Sequence, residues 1–339
     1  MTKLYYPKTF FDESYRWHIF PLLKELIKSE LKNDNFQLCD NKEDAEVLIL
    51  PMSWNYYYSN NTTKEVLDYL SKNVYQKPII SFVFGDVGNK VPYEFKGVVL
   101  RTSGDKSKLP ANHHGMPVFV DDPLRTQYQV KNIFKRSYNP VPTVGFCGLA
   151  NKFSIETIND LLRIGVKNLL SNFGFSHKNP QRLMSAPYFR YNILSNLQNK
   201  KCVKTNFIIR NQYRAGIKAN KNLHHTTEEF YNNIKDSDYI LCMRGAGNFS
   251  TRFYETLAMG RIPVFVNTDC LLPLEDKIDW KQHVVWVEYK DRHHIEKKII
   301  DFHSKLDENS LNMLFESNRQ LWINHLQVVP YFKTLFNGI

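Results

Sequence analysis

The feature that most constrains this chain is the alternation of short, unbroken apolar runs with stretches whose apolar residues recur at helical spacing. AEVLILPM (45–52) and KPIISFVFGD (77–86) show no in-and-out alternation, so they read as strands buried on both faces, and hence as parallel strands. Helical patterns surround them: IFPLLKELIKSELK (19–32), and TTKEVLDYLSKNV (62–74) behind the N-cap residue Thr62. Helices alternating with such strands predict right-handed βαβ units. GVVLRTS (97–103) and MPVFVDD (116–122) add two further predicted strands, and Pro140 and Pro142 then punctuate the chain.

A second series follows. Strands are predicted at TVGFCG (143–148), KTNFIIR (204–210), DYILCM (238–243) and RIPVFV (261–266), and helices near 155–170, 181–196, 226–237, 250–260 and 309–326. With 339 residues the chain exceeds what one core usually organises. The expected division is an N-terminal domain at 1–140, a C-terminal domain at 141–308 and a helical segment at 309–339.

No stretch approaches the roughly 18 apolar residues of a spanning helix. The N-terminus lacks a signal peptide's apolar core and cleavage site, so the expected location is the cytoplasm. The five cysteines are scattered, with no Cys-x-x-Cys pair, which points away from a disulfide framework or a zinc site. The net charge of +11 is uneven: residues 151–230 hold 13 Lys and Arg against 4 Asp and Glu. That excess favours an anionic partner, whether phosphate, nucleic acid or an anionic membrane surface.

The most informative stretch is YILCMRGAGNFSTRFYETLAMGRIPVFV (239–266), a strand, a glycine loop and a helix start. Gly245 and Gly247 let backbone amides approach an anion, and Asn248, Ser250 and Thr251 stand at the positive end of the helix dipole. Arg244 and Arg252 add charge-assisted donors, and Glu255, about one and a half turns on, is placed to accept from ribose hydroxyls. The residues alone leave two readings open, a phosphate cradle or a structural turn with solvated arginines. The third glycine of the dinucleotide fingerprint and the lysine of a P-loop are both missing.

The same segment resembles the exostosin family of glycosyltransferases. The likeness rests on Arg244-Gly245, Ser250-Thr251-Arg252-Phe253-Tyr254-Glu255, Gly260, Pro263-Val264, Leu272-Pro273 and Asp279-Trp280, with fainter echoes in EDAEVLILP, FVFGDVGN and VGFCG. The resemblance implies an α/β fold of two Rossmann-like domains facing across a cleft, GT-B-like, with the C-terminal helix packed back on the N-terminal domain. It implies an inverting, metal-independent enzyme without cofactor, moving a sugar from a nucleotide sugar, a UDP-sugar first, to a glycan or glycolipid acceptor in surface polysaccharide synthesis. Arg244, Ser250 and Arg252 would serve the diphosphate and Glu255 the ribose. Where many members carry His-Asp-x-Gly this chain has Phe84-Gly85-Asp86-Val87-Gly88, without the histidine; a bacterial-type member without the membrane anchor of eukaryotic ones is expected.

An inverting displacement needs a base. Asp86 is the first candidate, against a turn-capping role; Asp121 and Asp122 follow. Asp236-Ser237-Asp238 spells a metal-binding Asp-x-Asp but precedes its strand, so no metal site is assigned. Arg210 and Arg214, with Lys218 and Lys221 in the basic segment, are donor-site candidates or solvated surface. The pairs His113-His114, His224-His225 and His293-His294 receive no role, and Trp280, Trp286 and Trp322 read as core. The basic face is expected to meet anionic membrane at its inner surface. The competing reading is a non-catalytic nucleotide or nucleic-acid binder, although no stacking platform interleaves with the basic residues and no nucleic-acid partner is expected.

Overall fold

The apolar runs form strands, as their composition requires, and the computed structural model arranges them in two all-parallel sheets. It describes residues 1–28, 34–73, 76–212 and 224–338. The first sheet comprises β1 (Thr2–Tyr5), β2 (Phe36–Leu38), β3 (Val47–Ile49), β4 (Ile79–Val83), β5 (Val98–Arg101) and β6 (His113–Gly115), in the order β2-β1-β3-β4-β5-β6. The second comprises β7 (Thr143–Leu149), β8 (Lys204–Arg210), β9 (Tyr239–Cys242), β10 (Ile262–Asn267) and β11 (Val285–Glu288), in the order β11-β10-β9-β7-β8. Each sheet reverses its winding once, between β1 and β3 in the first and between β7 and β9 in the second. Such switch points open crevices at the carboxyl ends of the strands.

The connections are mostly helical. In the first unit they are α1 (Pro21–Lys28), α2 (Trp54–Ser59), α3 (Thr63–Lys72) and the single turn α4 (Pro123–Thr126). The second unit holds α5 (Ile155–Asn172), α6 (Ala186–Gln198), α7 (His224–Lys235), α8 (Thr251–Ala258) and α9 (Ile295–His303). After α10 (Glu308–Leu321) a five-residue π turn, Trp322–Leu326, leads into α11 (Val328–Phe336). Local sequence explains several starts. Ser53 accepts from the Tyr56 amide at the head of α2, and Asp307 and Ser310 form a reciprocal capping box on α10.

The C-terminal chain returns to the first unit, so that the α/β fold is two Rossmann-like halves bound by a shared helix. Phe332 meets Phe20 at 5.1 Å, Phe336 meets Phe36 at 5.6 Å, and the Tyr331 hydroxyl donates to the Gly115 carbonyl at 2.8 Å. On the way, Arg319 of α10 grips Asp122, the N-cap of α4, through both guanidinium tips at 2.9 and 2.6 Å.

Two sequence expectations are corrected, and three strands were not foreseen. The run 116–122 is not a strand: pairing stops at Gly115, which bridges to Pro273 of the second unit, and Pro117 has no amide to donate to a ladder. The single helix expected at 309–326 breaks at Leu321 into the π turn, and a separate α11 follows. β1, β2 and β11, unread in the sequence, line the sheets. The expected helix end at 29–32 and Val74 fall outside the described residues. Trp280 and Trp322 are buried, as read, and Trp286 packs on Phe265 at 4.9 Å. All five cysteines are unpaired thiols.

Candidate functional site

The crevice at the second sheet's switch point is built from the ends of β7 and β9. Just past β9, Arg244 is buried; its Nη2 approaches the Gln181 side-chain oxygen at 3.4 Å, and its Nη1 is buried with no partner. Arg190 of α6 reaches across the switch point, donating from Nη1 to the Leu149 carbonyl at 3.3 Å and from Nη2 to the Arg244 carbonyl at 2.9 Å. Its Nε is buried and unpaired. Burial, with Arg252 adding repulsion, pushes Arg190 down to about 9, which leaves it charged at neutral pH. Burial likewise lowers Arg244.

Neither guanidinium has a carboxylate within ion-pair distance among the described residues. A buried cation with no ion-pair partner is costly, Asp105 acting on Arg244 only from beyond that distance, and the unsatisfied N–H groups are donors that an anion in the crevice could accept from. Gly245 lies under Arg190, where an added Cβ would sit 3.4 Å from Nη2. At the head of α8 the N-cap Ser250 makes no side-chain capping bond, which leaves its hydroxyl and the first-turn amides for a ligand.

The other expected donor residues divide. Arg252 donates to the Cys147 carbonyl at 2.6 Å and to the Leu241 carbonyl at 3.4 Å, lies over the Phe146 ring and keeps a buried, unpaired Nε. It therefore ties β7 to β9 behind the crevice. Glu255, one helical turn beyond Arg252, accepts from the Tyr231 hydroxyl at 3.3 Å; burial raises its pKa while Arg252 and this bond oppose the shift. Asn248 is spent on protein partners. Its Nδ2 faces the carbonyls of Gly104, Thr268 and Asp269 and the Asp105 carboxylate at 2.9–3.1 Å, and its Oδ1 accepts from Thr268 at 2.5 Å. Arg210 pairs with Glu229 at 2.8 Å and donates to the Thr226 carbonyl, at the outer strand β8. Arg214, Lys218 and Lys221 lie outside the described residues.

The first unit closes against this loop. Asp86, on the turn past β4, is exposed, and its backbone carbonyl accepts from Ser103 at 2.5 Å. A side chain at Gly247 would collide with that same carbonyl. The Asp86 carboxylate makes no hydrogen bond or ion pair among the described residues. Of the runners-up, Asp122 is committed to α4 and Arg319, whereas Asp121 is exposed near Tyr231. Asp238 is held by Arg136 and the Thr143 amide, so the Asp-x-Asp spelling marks a sheet anchor.

Two residues here escaped the sequence reading. Arg190 sits in an unremarkable helix, and nothing local marks it. His18 carries no motif either, yet its Nδ1 meets the Ser53 Oγ at 2.8 Å and its ring stands 5.4 Å from that of Phe84, near the first sheet's switch point. Burial lowers its pKa, with the nearby Lys178 of the second unit adding to the shift.

Residues 152–300 match the family model of the Exostosin GT47 domain. Exostosin-1 of Drosophila melanogaster is 42% identical over 55 residues, covering 16% of this chain and 7% of that protein. A rice protein named "Probable glucuronosyltransferase" is 36% identical over 62 residues, 18% of this chain and 15% of its own. The chain thus aligns with only a small share of the length of these relatives. Among solved structures, a glycosyltransferase from Rickettsia africae aligns over 99% of this chain and 97% of its own, at 10% identity and a TM-score of 0.38. TarM aligns over 86% of this chain and 54% of its own, at 11% identity and the same TM-score.

Proposed function

We propose, from the premise that this chain belongs to the exostosin family through its domain at residues 152–300, that it is an inverting glycosyltransferase taking a sugar from a nucleotide-sugar donor, a UDP-sugar first. The observation that carries this reading is the pair of buried, carboxylate-free guanidiniums of Arg244 and Arg190 at the switch point between β7 and β9. Two linked phosphates there would satisfy the unpaired N–H groups, with the α8 amides, Gly245 and Ser250 completing the cradle. Glu255, on the same helix, would accept from ribose hydroxyls. Arg252 holds the strand ends that aim this set.

The acceptor, a glycan or lipid-linked glycan, would enter on the first unit's side of the cleft. Its hydroxyl oxygen attacks the anomeric carbon while the bond from that carbon to the phosphate oxygen breaks. The hydroxyl proton passes to the Asp86 carboxylate, and the departing electron pair stays on the diphosphate, which the guanidiniums stabilise. One displacement inverts the anomeric centre. Because fixed protein cations carry the leaving group's charge, the reading includes no obligatory metal.

Thermal unfolding with UDP, GDP, CMP and ADP, each with and without a chelator, tests this. At roughly 100 times its Kd a true ligand adds about 2.7 kcal/mol. We expect one nucleotide, with UDP first, to stabilise the protein in chelator, and Arg244→Ala and Arg190→Ala to abolish the response. Undiminished stabilisation in both variants would remove the diphosphate from this crevice.

A further inference from the structure

The connection between α5 and α6 has no strand or helix of its own, so its backbone groups must find partners elsewhere. It takes them from both units. Toward the first, the Asn179 amide donates to the Gly88 carbonyl at 2.8 Å, the Lys90 amide donates to the His177 carbonyl at 2.7 Å, and Asn89 and Lys178 form an antiparallel bridge. The His177 ring stacks on Tyr58 of α2 with 4.1 Å between centroids. Lys90 Nζ donates to the Ser171 carbonyl at 2.7 Å, in the last turn of α5, where a cation complements the helix dipole. Toward the second unit, Ser171 donates to the Lys178 carbonyl at 2.6 Å, and Asn168 exchanges two hydrogen bonds with the Gln181 backbone at 2.6 and 2.7 Å. Residues 177–181 are therefore a strap fastened to both units.

The strap ends on the crevice. Gln181 Nε2 donates to the Asn179 carbonyl at 3.4 Å, which turns the amide oxygen toward Arg244, 3.4 Å from its Nη2. That oxygen is the one hydrogen-bond acceptor that the Arg244 guanidinium meets among the described residues. A neutral amide orients the guanidinium without cancelling its charge, whereas a carboxylate in the same place would pair with it and compete with a diphosphate. An unbroken path thus runs from Gly88, two residues past Asp86, through Asn179 and Gln181 to Arg244. We propose that Gln181 is the positioning residue of Arg244, and that the strap makes the crevice depend on the docking of the first unit. The proposal rests on the reading of Arg244 as a diphosphate ligand. A ligand held by Arg244 would bind the docked arrangement more tightly and, by linkage, would itself favour docking.

Calorimetric titration of the full chain with UDP and with inorganic pyrophosphate reads the crevice, and hydrogen exchange of the ligand-free chain reads the strap. Tyr58→Ala removes the ring that His177 stacks on and alters no residue of the crevice. It is expected to raise deuterium uptake across 177–181 and to weaken both ligands at least about fivefold. Tyr58→Phe, which keeps the ring, should return both readouts to those of the wild type. Gln181→Glu should weaken both ligands at least about tenfold, with a cooperative melting transition retained, because its carboxylate occupies Arg244 and repels the phosphates. Wild-type uptake and affinity in Tyr58→Ala would overturn the dependence on docking, and wild-type affinity in Gln181→Glu would overturn the positioning role. Failure of the wild-type chain to bind either ligand would instead overturn the reading of Arg244 itself, and the proposal with it.

Discussion

Arg101 ends β5 with its guanidinium buried: Nε donates to the Ser103 carbonyl at 2.5 Å, Nη1 faces the His113 Nδ1 at 3.2 Å, and Nη2 has no partner. A cation opposite an imidazole nitrogen requires that nitrogen to accept, so His113 is neutral with its proton on Nε2. Burial first, then Arg101 and His114, push His113 down to about 4. Its folded pKa thus lies below the unfolded value of roughly 6.5. The unfolded chain takes up the proton first, so this site's stability is present above that value and is lost as pH falls toward about 4. Thermal midpoints from about pH 7 down to about pH 5 should fall more steeply for the wild type than for His113→Gln, whose amide oxygen can still accept from Arg101. Parallel slopes would place the acid sensitivity elsewhere.

At the scale of elements, the loop between β9 and α8 serves two neighbours at once. Its Arg244 end faces the crevice, whereas Asn248 sews it to Gly104 and Asp105 of the first unit and to Thr268 and Asp269 past β10. Removing that amide leaves several buried oxygens short of a donor. Asn248→Ala should cost about 1–3 kcal/mol in urea unfolding, while the nucleotide response survives. A variant of wild-type stability that no longer responds to nucleotide would instead place the amide on the ligand. Gly247 belongs to the same junction: only the absence of a side chain lets the loop lie against the Asp86 carbonyl.

For the whole molecule, the decisive contact is the return of the chain end. α11 seals the first unit through Phe332 on Phe20 and Phe119 and through Phe336 on Phe36. Phe332→Ala should therefore destabilise a unit that lies almost the entire chain away, by about 3–5 kcal/mol. Calorimetric unfolding measures this, and a change below about 1 kcal/mol would mean that the helix merely rests on the surface. The apolar face of α5 is the opposite case: there Ile155, Leu162, Val166, Leu169 and Phe173 stay exposed, while Asn168 and Ser171 hydrogen-bond to the 178–181 backbone.

The chain's own order determined the two βαβ series and most of their strands, because an unbroken apolar run such as VLIL or YILC can be satisfied only inside a parallel sheet. It also marked Arg244, Gly245 and Gly247, which are neighbours in sequence on the loop past β9. β1 and β2 were not legible because strands of four and three residues, with Leu4 and Phe36 their only buried positions, carry too little pattern. β11 was missed because VWVE alternates as an edge strand of only four residues. Tertiary structure alone decided that Arg190 bridges β7 and β9, that Asp122 belongs to Arg319, that Asn248 is a stitch and that the apolar residues of α5 face outward. Local sequence sets propensity and periodicity, but the burial and pairing of a charged group depend on which distant segments enclose it, and helical spacing names an apolar face without saying which way it turns.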